Sequence, residues 1–152
     1  MAKQSAGLLI YRRQNNELEV FLVHPGGPFW KNKDEGAWSI PKGEFADDEN
    51  PLEVANREFH EETGLTLNAA SAFIPLQPVK QRGGKTVYAW AVEADFDAAH
   101  VHSNTFSMEW PPRSGKMAEF PEVDRSEWFA IPLAREKMIE AQRAFLDRLP
   151  AS

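Results

Sequence analysis

Apolar positions open the chain almost without a break. Ser5-Ala6-Gly7-Leu8-Leu9-Ile10-Tyr11-Arg12 has the continuity of a buried strand rather than the alternation of a half-exposed one. The turn signal Gln14-Asn15-Asn16-Glu17 follows, and Leu18–His24 then alternates in part, so the two segments predict a β-hairpin. Residues 25–36, rich in Gly, Pro and charge, read as a loop, and Ala37-Trp38-Ser39-Ile40-Pro41 as a short strand.

The best-specified helix begins after Asn50. Asn suits an N-cap, Pro51 the first helical position, and Glu53 resembles the far end of a capping box. Gly64 suits the stop. Leu52, Ala55, Phe59 and Thr63 share the side expected to face the core, whereas Glu58, Glu61 and Glu62 lie on another. Val54 falls near the acidic side and blurs the division. Lys85–Asp95 reads as a strand with Val87, Ala89 and Ala91 on one face. Ser103–Gly115 reads as an irregular loop, Ser126–Ile131 as a short strand, and the stretch from Pro132 to Leu149 as one amphipathic helix with Leu133, Met138, Phe145 and Leu149 on its buried side. Interspersed strands and helices place the chain in the α/β or α+β classes.

The 152 residues suit one compact domain, and 42% hydrophobic with 26% charged residues is an ordinary globular composition. No apolar run is long enough to span a bilayer, and no secretory signal pattern follows the first methionine. Cysteine is absent, which excludes disulfides and thiolate chemistry and fits a cytoplasmic setting. A net charge of −6 argues against a broad nucleic-acid surface but not against a small phosphate ligand, because a divalent cation can reverse the local field.

That exception matters at Arg57-Glu58-Phe59-His60-Glu61-Glu62-Thr63-Gly64. Its three glutamates sit at i, i+3 and i+4, where like charges cost an isolated helix about 0.2–0.5 kcal/mol per pair. A solvated helix face is the ordinary explanation. Hard oxygen donors in one small volume also suit Mg²⁺, which would offset the repulsion and bring phosphoryl chemistry with it.

The longer spacing decides between these readings. Five residues separate Gly43 from Glu49, seven more lead to Arg57-Glu58, and Phe59, Glu61-Glu62, Gly64 and Leu65 complete the pattern. This resembles the Nudix box, G-x5-E-x7-R-E-U-x-E-E-x-G-U with U bulky and apolar, at every specified position across 23 residues. The opening hairpin, Pro121–Phe129 and the C-terminal segment resemble the same family. One Nudix domain is therefore expected over residues 1–152, with its box at 43–65.

The resemblance implies an α/β/α sandwich with a mixed sheet and a loop–helix–loop box. It implies a metal site of Glu58, Glu61 and Glu62 for Mg²⁺ or Mn²⁺, with the backbone carbonyl of Lys42 as a further ligand. In some family members a glutamate matching Glu58 instead activates the water. Arg57 would orient the carboxylates, Glu49 would support the box by pairing with Arg57, Gly43 would allow a turn, and Gly64 would be structural. Glu122 is the first choice for an additional acid outside the box, ahead of Glu119 and Glu109.

The implied reaction is hydrolysis of a pyrophosphate bond in a nucleoside diphosphate linked to another moiety. Trp38–Glu44 resembles the equivalent segment of diadenosine-polyphosphate hydrolases and of diphosphoinositol-polyphosphate phosphatases, and the reading favours nucleoside or dinucleoside polyphosphates. Trp38, Lys42 and Arg113 are the candidate substrate contacts, within a wider basic set that includes Lys31 and Lys33. An oxidised deoxynucleoside triphosphate substrate and a non-catalytic nucleotide sensor are the alternatives.

Overall fold

The computed structural model describes residues 3–67 and 72–150. Strand β1 (Gln4–Gln14) turns through Asn15 and Asn16 into β2 (Glu17–Pro25). Both asparagines have positive φ, 53° and 65°, the conformation that a two-residue hairpin turn requires and that Asn tolerates. The strands pair only near this turn, as far as Tyr11 and Val20. Beyond it they splay, and β3 (Lys42–Glu44) pairs with the first half of β1 while Ser39 bridges to Val23.

Helix α1 (Pro51–Thr63) follows, then β4 (Ile74–Lys80), β5 (Thr86–Glu93), β6 (Thr105–Glu109), β7 (Met117–Pro121), β8 (Val123–Ala130), α2 (Ile131–Lys137) and α3 (Ala144–Asp147). The main sheet runs β4-β5-β1-β2-β8, with β3 inserted beside β1. Its β1–β5 pair is parallel and the others are antiparallel, so the sheet is mixed.

Both faces of β1 are covered, which accounts for its unbroken apolar run. Ala6, Leu8 and Ile10 pack with Phe21, Val54, Ala55 and Phe59 on the α1 side. Leu9 and Tyr11 pack with Trp38, Met138 and Phe145 on the opposite side. The result is the expected α/β/α sandwich. Val54 belongs to the α1 core, so the helix buries a wider arc than an acidic-versus-apolar division suggests.

Several local expectations are corrected. Residues 37–41 form no strand, only isolated bridges. Residues 103–115 are not an irregular loop, because β6 lies within them and pairs with β7 as a separate hairpin. The single C-terminal helix is broken. Met138 is extended and bridges Trp38, the Trp38 N–H donates to the Lys137 carbonyl, and the Ile139 N–H donates to the Trp38 carbonyl. Met138 and Phe145 are buried, Leu149 is partly buried against the same cluster, and Leu133 is 44% exposed.

Candidate active site

The site is assembled on α1, whose ends are secured locally. The Asn50 side chain accepts hydrogen bonds from the N–H groups of Leu52 and Glu53 at 3.0 and 3.1 Å. Gly64, at φ 75°, donates to the His60 carbonyl at 2.7 Å. Glu49 accepts the Ala46 N–H at 2.9 Å and faces Arg57 at 3.4 Å, so it ties the loop to the helix. These two partners, the backbone amide first, hold the Glu49 carboxyl below its ordinary pKa.

Gly43 does something other than allow a turn. It lies within β3, opposite Ala6, and a β-carbon there would collide with the side chain of Glu58. Strand and helix approach closely because this residue has no side chain. One position earlier, the Lys42 N–H donates to Glu62 at 3.1 Å. Glu62 is only 9% exposed, so the helix presents one carboxylate to the strand and buries it there.

Glu122 reaches the same place through a backbone relay. The Asn104 N–H donates to the Glu61 carbonyl at the end of α1, and the Glu122 N–H donates to the Asn104 carbonyl, both at 2.8 Å. The Gly26 N–H then donates to the Glu122 carbonyl at 2.9 Å. Glu122 therefore stands beside Glu62 and Lys42 on the wall of one cavity. The other acids considered are occupied elsewhere. Glu109 accepts the Arg113 and Gly115 N–H groups, and Glu119 accepts the Thr105 hydroxyl.

The electrostatics favour a cation among these carboxylates. Burial and then the neighbouring Glu61 push the Glu58 carboxyl up to about 7. Burial and then Glu58 push Glu62 well above the ordinary range, and burial and then Glu61 raise Glu122. Among the described residues no group of three or more histidine, aspartate or glutamate side chains is arranged so that it could hold a metal ion. A dication held between these carboxylates would offset the repulsion, and the hard oxygen set suits Mg²⁺ or Mn²⁺. Burial and then Lys85 lower the pKa of the Lys42 ammonium, which faces this acidic group.

The cavity has a volume of about 200 Å³. Lys42, Glu62 and Glu122 line one part of it, and Val23, Pro25, Trp30, Ile40, Val123 and Ile139 give the remainder an apolar wall. Trp38 does not contribute. It is 1% exposed, lies edge-on to His24 and Phe129, and donates its indole N–H to Asp34 at 2.8 Å, so it is a core residue with no face for a base. Arg113 is exposed in the turn between β6 and β7 and does not line the cavity. The sequence reading missed Trp30. Its signal was an aromatic pair, Phe29-Trp30, inside an otherwise polar loop.

A model of the NUDIX domain matches residues 1–149. The asymmetrical bis(5'-nucleosyl)-tetraphosphatase of Rattus norvegicus is 33% identical over 111 residues, covering 64% of this chain and 69% of the relative. Its Mus musculus counterpart is 31% identical over 103 residues, covering 61% and 66%. Among solved structures, a C. elegans Ap4A hydrolase binary complex superposes with a TM-score of 0.63 at 20% identity, covering 97% of this chain and 94% of that one. The Nudix hydrolase RenU from M. smegmatis gives 0.61 at 21% identity, covering 98% and 88%. At these identities the two structures establish the fold.

Proposed function

Because the chain belongs to the NUDIX domain family, we propose that this Nudix pyrophosphohydrolase uses a divalent cation to cut the phosphate chain of a nucleoside or dinucleoside polyphosphate. The observation that carries the reading is the shared cavity. One wall bears carboxylates and a half-buried lysine suited to a metal–polyphosphate group, and the other is apolar with an indole at Trp30, suited to a base. The tetraphosphatase relatives favour the same substrate class.

Glu58, Glu61, Glu62 and Glu122 would hold the cation, with the Lys42 carbonyl as a further ligand. When bound, Mg²⁺ neutralises phosphate charge and makes phosphorus easier to attack. Glu62 is locked to the Lys42 amide, so its oxygen is positioned before substrate arrives. The Lys42 ammonium would face the transferred charge from a half-buried position. Arg57 acts through Glu49 and keeps the box loop in register with α1. A water attacks one phosphorus, the bridging P–O bond breaks, and the water's proton passes to a carboxylate. The products are a nucleotide and the phosphorylated remainder.

The test is turnover with Mg²⁺ on a panel of dinucleoside polyphosphates, ADP-ribose, NADH, diphosphoinositol polyphosphates and oxidised deoxynucleoside triphosphates. Release of a mononucleotide from a dinucleoside polyphosphate, at a higher kcat/KM than for the other compounds, is expected. Preferential cleavage of an oxidised deoxynucleoside triphosphate would overturn the substrate assignment. Tight nucleotide binding with no turnover would make the protein a sensor.

A further inference from the structure

Next to the cavity the structure exposes two aromatic rings whose position the fold does not explain by core packing. Phe29 is 61% exposed, and Trp110 is only partly buried. Their ring centroids are 5.6 Å apart at 83°. An edge-to-face pair leaves ring faces open, and an open π-face is what a nucleobase stacks on.

The two rings come from different segments that are firmly joined. Phe29 follows β2, and Trp110 follows β6 in the small hairpin. Gly26 packs under Pro121 so closely that a β-carbon would collide with the Pro121 carbonyl, and a β-carbon on Gly27 would stand 3.1 Å from the Phe106 ring. Within the hairpin the Trp110 N–H donates to the Lys116 carbonyl at 2.9 Å, and Glu109 gathers the turn by accepting two of its N–H groups. Trp110 is thus carried on an ordered turn against Phe29. Trp30, the next residue, lines the cavity, so the exposed rings continue the cavity's apolar wall outward.

Exposed cations accompany the rings. Lys31, Lys33, Arg113 and Lys116 are exposed on these same two segments, and none joins an ion pair among the described residues. Of the acids on these segments, Asp34 pairs with Lys137, Glu109 is held by backbone amides and Glu119 accepts the Thr105 hydroxyl, while Glu35 is exposed and joins no ion pair among the described residues. The strip therefore mixes aromatic rings with exposed cations and carboxylates as it leads away from the acidic centre, and the Lys33 ammonium lies 5.0 Å over the Trp30 ring. Its chemistry matches a ligand with a second base at the far end of a polyphosphate.

We propose that Phe29 and Trp110 form a platform for the distal nucleobase of a dinucleoside polyphosphate whose other nucleoside enters the Trp30 cavity. The platform sets preference for dinucleoside over mononucleoside polyphosphates. It rests on the reaction reading given above and adds a residue-level specificity to it.

The experiment compares kcat/KM for diadenosine tetraphosphate with that for adenosine tetraphosphate, in the unaltered protein and in Phe29→Ala, Trp110→Ala and Trp110→Phe. In each alanine variant the ratio of the two should fall about tenfold, through KM for the dinucleotide, which is the scale of one base–aromatic stack. Trp110→Phe keeps a ring and should restore most of the ratio. A merely structural role would lower both activities together and leave the ratio unchanged, which would overturn the platform alone. Failure of the unaltered protein to cleave either compound would instead overturn the reaction reading with it.

Discussion

The side chain of Glu58 occupies the space that a β-carbon on Gly43 would fill. A strand residue and a helix residue fifteen positions apart therefore share one small volume, and the glycine exists for the glutamate. Gly43→Ala should displace the Glu58 carboxylate while the sandwich persists. Overpacking of this kind costs about 1–3 kcal/mol. A displaced catalytic group costs on the order of a hundredfold in rate. Kinetics alongside thermal melting would show this split. Unchanged turnover in a folded Gly43→Ala protein would show that the position of Glu58 is immaterial.

Glu62 is buried, raised in pKa and held by the Lys42 amide. Glu62→Gln keeps its shape and removes its charge. Turnover should fall by about a hundredfold or more, the several kcal/mol that a metal contributes to charge stabilisation. The metal-free melting temperature should not fall. Near-normal activity would remove Glu62 from the set of metal ligands.

The raised carboxyls also predict how metal-free stability follows pH. Glu58 binds its proton more tightly in the folded chain, at about 7 against 4.5 for the ordinary group. Its protonation therefore contributes stability that is fully present below pH 4.5 and is lost as pH rises through 7. Glu62 and Glu122 shift in the same direction. In the presence of a chelator, melting at pH 5.5 and pH 8 should show a larger loss for the unaltered protein than for Glu58→Gln. Equal losses would mean that the carboxylate repulsion is not felt in solution.

A cation that relieves this repulsion binds only the folded chain, so Mg²⁺ should stabilise it. At one hundred times its dissociation constant the gain is about 2.7 kcal/mol, or roughly 5–10 °C for a chain of this size. Glu122→Gln should weaken the dependence on Mg²⁺ concentration. Differential scanning fluorimetry across a Mg²⁺ series measures both, and an unmoved melting temperature would contradict a metal site here.

Asn50 makes the one prediction confined to local structure. Its side chain caps two N–H groups of α1. Asn50→Ala should cost about 1 kcal/mol, or roughly 2–4 °C in melting temperature. Its activity should fall less than that of Gly43→Ala, since the carboxylates keep their neighbours.

The helix that carries the chemistry was legible because its instructions are local. Asn50, Pro51 and Gly64 mark its ends through bonds spanning a few residues, and the spacing from Gly43 to Leu65 identifies its family. The β1–β2 hairpin was legible for the same reason, its two asparagines supplying the turn. Strand β4 was not, because Pro75 and Pro78 argue against a strand until an edge position is known to tolerate them.

What tertiary structure decided are the points where distant segments compete for the same groups. Helical pattern alone runs past Met138, but the backbone around Trp38 takes the hydrogen bonds that would have continued the helix. Periodicity could not distinguish Trp30 from Trp38. One lines the cavity and the other fills the core because β1 and β2 splay and admit residues 39–44 between them. By itself the sequence determined the acidic helix and the class of reaction, since capping and motif spacing act over short range. The partners of those acids, the wall facing them and the aromatic strip leading outward depend on long-range packing, which no local pattern encodes.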